Sequence, residues 1–234
     1  MHICLLDIDG TLVLTGGAGQ TAFSQTLIAD FGIADLNTKV AFAGRSDRAI
    51  VADLFSDHGI DPSDENWSRF CEGYLSRLDA ALHSHKGHVL PGVPGLLEAL
   101  ADRGDIAIGL VTGNVREGAR RKLQHFDLWH WFPFGGFGDE YVDRCDIAAA
   151  ALAAAHSHLG ADAKGNGIAN GSNSNCEVVV IGDTLHDIRC ARSIDARCIA
   201  VATGQSTTEE LQTCNPDVVL SNLEDIGPVL ELFE

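Results

Sequence analysis

Two aspartates two residues apart, Asp7 and Asp9, follow the apolar run Ile3-Cys4-Leu5-Leu6, and Gly10 and Thr11 come directly after them. At the tip of a β-strand the side chains of residues i and i+2 share a side, so these carboxylates would face one ligand. Gly10 permits the sharp exit that brings backbone close to it. Two carboxylates so placed repel each other. A divalent cation relieves that, and hard oxygen ligands with retained waters suit magnesium. Comparable groups recur downstream: Thr112-Gly113-Asn114 after one apolar run, Gly182-Asp183-Thr184 after another with Asp187 one helical turn on, and Arg144 at a helix start. The four aspartates, a divalent cation and Arg144 come within one proton of neutrality, and that proton on Asp9 would make it a general acid.

Short apolar runs alternating with helical patterns must position these groups, which is the sequence form of an α/β fold with a parallel sheet. Strands are expected over 3–8, 106–112, 132–137, 178–182 and 198–202, with 218–220 as a sixth at an edge. Helices are expected over 93–103, 115–126, 143–158, 185–193 and 207–213. In such sheets the ligand site lies beyond the carboxyl ends of the strands, where every one of these polar groups falls. The stretch 15–88 breaks the alternation, with helical periodicity over 21–31, 47–58 and 64–82, and reads as a helical insertion. The core is then 1–14 with 89–234. The polar run 163–175, rich in Gly, Asn and Ser, is expected to be a flexible surface loop.

A single aspartate after a strand is usually a turn former or a helix cap, and Asp183-Thr184 before a helix is such a cap signal. The weight lies in the joint spacing. The composition of the 234 residues, 45% hydrophobic and 21% charged, suits a globular enzyme. A formal charge of −17 argues against a nucleic-acid partner, which would need a basic stripe. Seven scattered cysteines without a CxxC pair point to reduced thiols in a cytoplasmic compartment. The first residues do not read as a signal peptide, and no apolar run reaches the roughly 18 residues of a membrane span, so no membrane partner is expected.

With these residues in view, the chain resembles the haloacid dehalogenase superfamily, in its phosphoglycolate-phosphatase-like branch. DIDGTL at Asp7 to Leu12 is similar to the first family motif, VTGN at Val111 to Asn114 to the second, and IGDTLHDI at Ile181 to Ile188 to the fourth. The resemblance implies a Rossmann-like parallel core with a helical cap inserted after the first strand, and a magnesium-dependent phosphatase acting on a small phosphorylated metabolite. It implies Asp7 as nucleophile, Asp9 as general acid and base, and a metal held by Asp7, the Asp9 carbonyl and Asp183 with support from Asp187. Thr112 would donate its hydroxyl to the phosphoryl group, assisted by the amides of Gly113 and Asn114.

The third family motif is usually a lysine followed by proline, and this chain has Asp143-Arg144-Cys145-Asp146-Ile147 instead. A guanidinium can do the same electrostatic work in a fork geometry, so Arg144 is assigned there, with Lys164 as rival. Arg45, in Phe42-Ala43-Gly44-Arg45-Ser46-Asp47-Arg48, is expected to reach the substrate from the cap. An aspartate at position 9 favours phosphoryl transfer over dehalogenation. It leaves open a phosphomutase, and a non-catalytic phospho-acceptor is a further alternative. His83, His85 and His88 read as a solvated helix end, His186 as a surface residue, and Trp129 and Trp131 as sheet-edge packing.

Overall fold

The computed structural model describes residues 1–33, 42–165 and 176–234, without the side chains of 161–165. The strand β1 (His2–Leu6) occupies the middle of a six-stranded sheet. On one side lie β4 (Ile106–Val111) and then β5 (Gly135–Gly136), and on the other β6 (Val178–Gly182), β7 (Arg197–Val201) and β8 (Val218–Leu220). Every pairing in this sheet is parallel, with Leu6 opposite Leu110 on one side and Ile181 on the other. Buried on both faces, β1 is apolar throughout: Ile3 and Leu5 enter one core, Cys4 and Leu6 the other. The first core packs beneath α6 (Arg144–Gly165) and α7 (Leu185–Ser193), the second beneath α4 (Val93–Arg103) and α5 (Arg116–His125). Shorter helices α8 (Thr208–Gln212) and α9 (Gly227–Leu230) close the edge near β8.

Because the chain runs from β1 to one neighbour and later returns to the other, a crevice opens above the carboxyl end of β1. The helices α1 (Ala18–Phe31), α2 (Asp47–Asp57) and α3 (Asp64–Ser84) stand over that crevice, packed around Phe23, Leu54, Phe55, Phe70 and Leu78. Burying each such side chain contributes about 1.5–3 kcal/mol, so this layer has a hydrophobic core of its own, which Val115 joins from the sheet layer. Two short strands, β2 (Val13–Leu14) and β3 (His88–Val89), pair antiparallel where the chain leaves and re-enters the sheet layer.

All six sheet strands fall where the sequence places them, yet the one expected over 132–137 pairs only through Gly135 and Gly136. The aromatic residues around it instead turn into the core or onto its edge, and Trp129 and Trp131 pack there as expected. Helix α6 runs to Gly165, past the expected end at 158, so 163–165 are helical, while 166–175 lie outside the described residues. The β2–β3 pairing and α9 had no signal in the apolar pattern.

Candidate active site

Asp7 is the first residue beyond β1, and its N–H donates to the Ile181 carbonyl at 3.0 Å, which pins it between β1 and β6. Its side chain is buried. A carboxylate oxygen of Asp7, one of Asp183 and one of Asp187 lie within 4.8 Å of one another. Gly10, with φ +90°, leaves room for Asp183, because a Cβ there would sit 2.4 Å from Asp183 Oδ2. Thr11 Oγ1 donates to the other Asp183 oxygen at 3.3 Å.

Arg144 supplies the countercharge. Asp143 accepts from the N–H of Cys145 at 2.9 Å and caps α6, so Arg144, its first residue, is aimed back at the strand ends. Its guanidinium donates to Asp187 Oδ1 at 2.5 Å and stands 3.2 Å from Asp7 Oδ1, with only 6% of the side chain exposed. The Asp7 contact has the distance of an ion pair but not the alignment of a hydrogen bond, and Asp7 Oδ1 is a buried oxygen without a donor. Asp187 also accepts from the N–H and hydroxyl of Thr184, at 3.0 and 2.6 Å. It therefore completes the capping box of α7 with Thr184 and anchors Arg144 at once.

These groups are short of positive charge. Burial raises the Asp7 pKa to about 6 against the pull of Arg144, with Asp187 and Asp9 adding to the rise. Burial, then Asp187 and Asp7, raise Asp183 to about 8, again opposed by Arg144. A buried oxygen without a donor beside two carboxylates with raised pKa values fits a hard divalent cation held by oxygen atoms. Asp7 and Asp183 have the free oxygen edges for it. Both Asp187 oxygens are already engaged, which suits a supporting role for that residue.

Beyond β4, Thr112 is fully buried, and its Oγ1 accepts from the side-chain amide of Asn114 at 2.8 Å, leaving the hydroxyl proton to face a ligand. The other hydrogen of interest belongs to the same amide, which donates to Asp9 Oδ2 at 2.8 Å. Lys122 of α5 donates to that Asp9 oxygen at 2.7 Å and to Asn114 Oδ1 at 2.6 Å.

The helical layer comes down on the strand ends through residues 44–47. Asp47 N donates to the Gly113 carbonyl at 2.8 Å, and the Asp47 carboxylate accepts from Val115 N at 2.9 Å. A Cβ on Gly113 would meet the Arg45 carbonyl at 2.2 Å, so only glycine admits this approach. A cavity of about 440 Å³ remains between the layers, floored by Asp7, Asp9 and Thr112 and roofed by Phe23, Arg45 and Tyr74. Arg45 lines it while paired with Asp53 at 2.7 Å. All the expected site residues thus border one cavity or support those that do. The side chain of Lys164 is outside the described residues.

A haloacid dehalogenase-like hydrolase model matches residues 4–144, and a HAD-hydrolase-like model matches 146–226. The chain belongs to the haloacid dehalogenase-like hydrolases. It is 25% identical to a probable phosphatase, IndB, of Dickeya dadantii, over 96% of this chain and 91% of that one. It is 24% identical to a phosphoglycolate phosphatase of Pectobacterium atrosepticum, over 96% and 90%. A hydrolase from Pseudomonas syringae shares the fold, with TM-score 0.69 and 23% identity over 99% and 98% of the two chains.

Sequence reasoning missed Lys122, Tyr74 and Asp47. Lys122 carried a signal: with Gly118, Ala119 and Leu123 it lies on the buried face of α5, where an unpaired lysine is not tolerated. Tyr74 looks like any core aromatic of α3, and Asp47 like an ordinary first-turn acid. His83 and His85 lie at the end of α3 and bond to the backbone carbonyls of Asp79 and Gly16, whereas His88, expected at the same helix end, belongs to β3. His186 is exposed, though a Cβ on Gly44 would touch its ring.

Proposed function

We propose that this protein is a magnesium-dependent phosphomonoesterase that hydrolyses a small phosphorylated metabolite through an aspartyl phosphate on Asp7. The observation that carries the reading is the Asp7 carboxylate, which lines a roofed cavity while its buried, donor-free Oδ1 stands 3.2 Å from Arg144. A carboxylate at the cavity floor supplies a nucleophilic oxygen, and a guanidinium beside it can hold the oxygens of a phosphoryl group. Asp7, the Asp9 carbonyl and Asp183 would hold Mg²⁺, with Asp187 steadying Arg144. Bound there, the ion neutralises the charge that Asp7 and the phosphoryl group bring together.

Asp7 attacks phosphorus while Asp9 gives a proton to the departing ester oxygen. Asp9 then accepts a proton from the water that cleaves the acyl phosphate, and water takes the place of the leaving group. Thr112 and the Gly113 and Asn114 amides orient the phosphoryl oxygens. Residues 15–88 act as the cap of a core formed by 1–14 and 89–234, and Arg45 meets the non-reacting end of the substrate. The relatives' names and the enclosed cavity favour a phosphoglycolate-like ester over a phosphoprotein. Seven free cysteines suit a cytoplasmic setting. Among the described residues no helix is long and apolar enough to cross a membrane.

The test is phosphate release from a panel of small phosphomonoesters after chelation, with and without added Mg²⁺. Magnesium-restored release from at least one ester is expected. Isomerisation of a sugar phosphate without net release would instead mark a phosphomutase, and no reaction with any ester would overturn the reading.

A further inference from the structure

Lys122 is 6% exposed, so its ammonium has been taken almost wholly out of water, a cost that a helix lysine normally avoids by reaching to the surface. It is held instead by Asp9 and by Asn114, whose own amide donates to the same Asp9 oxygen. The three side chains close a ring in which Oδ2 of Asp9 receives two donors. For Oδ1 no donor is recorded among the described residues, and the Asp9 side chain is 41% exposed at the cavity. With two donors on Oδ2, the oxygen left for a ligand is Oδ1.

We propose that Lys122 is a positioning residue for Asp9: with Asn114 it fixes the carboxyl group by Oδ2 and leaves Oδ1 as the oxygen available to the substrate. The proposal rests on the reading of Asp9 as general acid. In the step concerned, the bond from Asp7 to phosphorus forms and the ester P–O bond breaks. The proton leaves Asp9 Oδ1 for the ester oxygen, and the resulting carboxylate keeps both donors on Oδ2. Cap and core both shape this arrangement, since a Cβ on Gly19 of α1 would stand 3.2 Å from Lys122 Nζ.

The experiment compares kcat/KM for p-nitrophenyl phosphate, whose leaving group departs without a proton, and glycerol phosphate, whose leaving group needs one. This ratio reports steps only through departure of the leaving group, so water attack does not enter it. Asp9→Asn is the benchmark, with glycerol phosphate falling about a hundredfold or more and the aryl ester much less. Lys122→Met should show the same selectivity, with a loss on glycerol phosphate at least about tenfold greater than on the aryl ester. Lys122→Arg should restore most of it, and Lys122→Met combined with Asp9→Asn should be no worse than Asp9→Asn alone.

Gly19→Ala, which keeps every charge but crowds the ammonium, should give a milder loss of the same selectivity, and it carries the test if Lys122→Met does not fold. Equal losses on both esters in Lys122→Met and Gly19→Ala, or additive losses in the double variant, would overturn the role of Lys122 while Asp9 stands. An Asp9→Asn variant without ester selectivity would overturn the acid reading and this proposal together.

Discussion

Asp7 and Asp9 are two residues apart, and each faces one cation, but the two environments differ in kind. Asp7 is buried against Arg144 in a ring of carboxylates, with no hydrogen-bond donor on the oxygen nearest the guanidinium. Asp9 is half exposed, and its partner Lys122 is the buried member of the pair. The first arrangement keeps an oxygen bare and short of positive charge. The second holds one oxygen by two donors while the side chain stays open to the cavity. In the proposed mechanism identical side chains would take the roles of nucleophile and acid from what surrounds them.

The contrast breaks most completely at Asp7. Asp7→Asn should lower kcat for any ester at least about a thousandfold with the fold intact by circular dichroism, and smaller losses would remove Asp7 as nucleophile. Arg144→Ala comes next. It strands buried carboxylates, and breaking a buried pair typically costs about 3–5 kcal/mol, so denaturant unfolding should show a large loss of stability along with activity. Arg144→Lys should recover part of the stability but less of the activity, since an ammonium lacks the further guanidinium donors that could hold a phosphoryl group.

A third prediction separates the two regions by pH. The folded-state pKa values of Asp7 and Asp183 are raised to about 6 and about 8 from the ordinary 3.8. The stability tied to those protons is fully present below pH ~4 and is lost as pH rises through 6 and 8. Chelated protein should therefore melt at falling temperature over that window, and added Mg²⁺ should raise Tm more at pH 8 than at pH 5. A Tm gain that is independent of pH would place the cation away from these carboxylates.

The smallest effect is expected at Arg45. Its pair with the exposed Asp53 contributes at most about 1 kcal/mol, so Arg45→Ala should leave Tm nearly unchanged. It should raise KM for the preferred substrate several-fold while kcat for p-nitrophenyl phosphate hardly moves.

The sheet and the Arg144 half of the site were legible in the sequence because each residue sits at a strand end or first helical turn, positions that periodicity locates. Asp7, Thr112 and Asp183 follow apolar runs directly, and Arg144 follows the capping Asp143. The Lys122 half was not, because that lysine reaches the site from the second turn of α5 and has no strand end to mark it. Asp47 depends on how the helical layer docks at Gly113, a contact between distant segments. The strand at 135–136 was overread for a related reason: its aromatic neighbours serve the core and carry no pairing.

The most direct test of the central claim is to quench the enzyme during turnover with Mg²⁺ and a phosphate ester, digest it in acid and locate the phosphoryl group by mass spectrometry. The phosphoryl adduct should be found on the peptide containing Asp7 and be absent from Asp7→Asn. A stable adduct on any other residue, or full turnover by Asp7→Asn, would contradict the account.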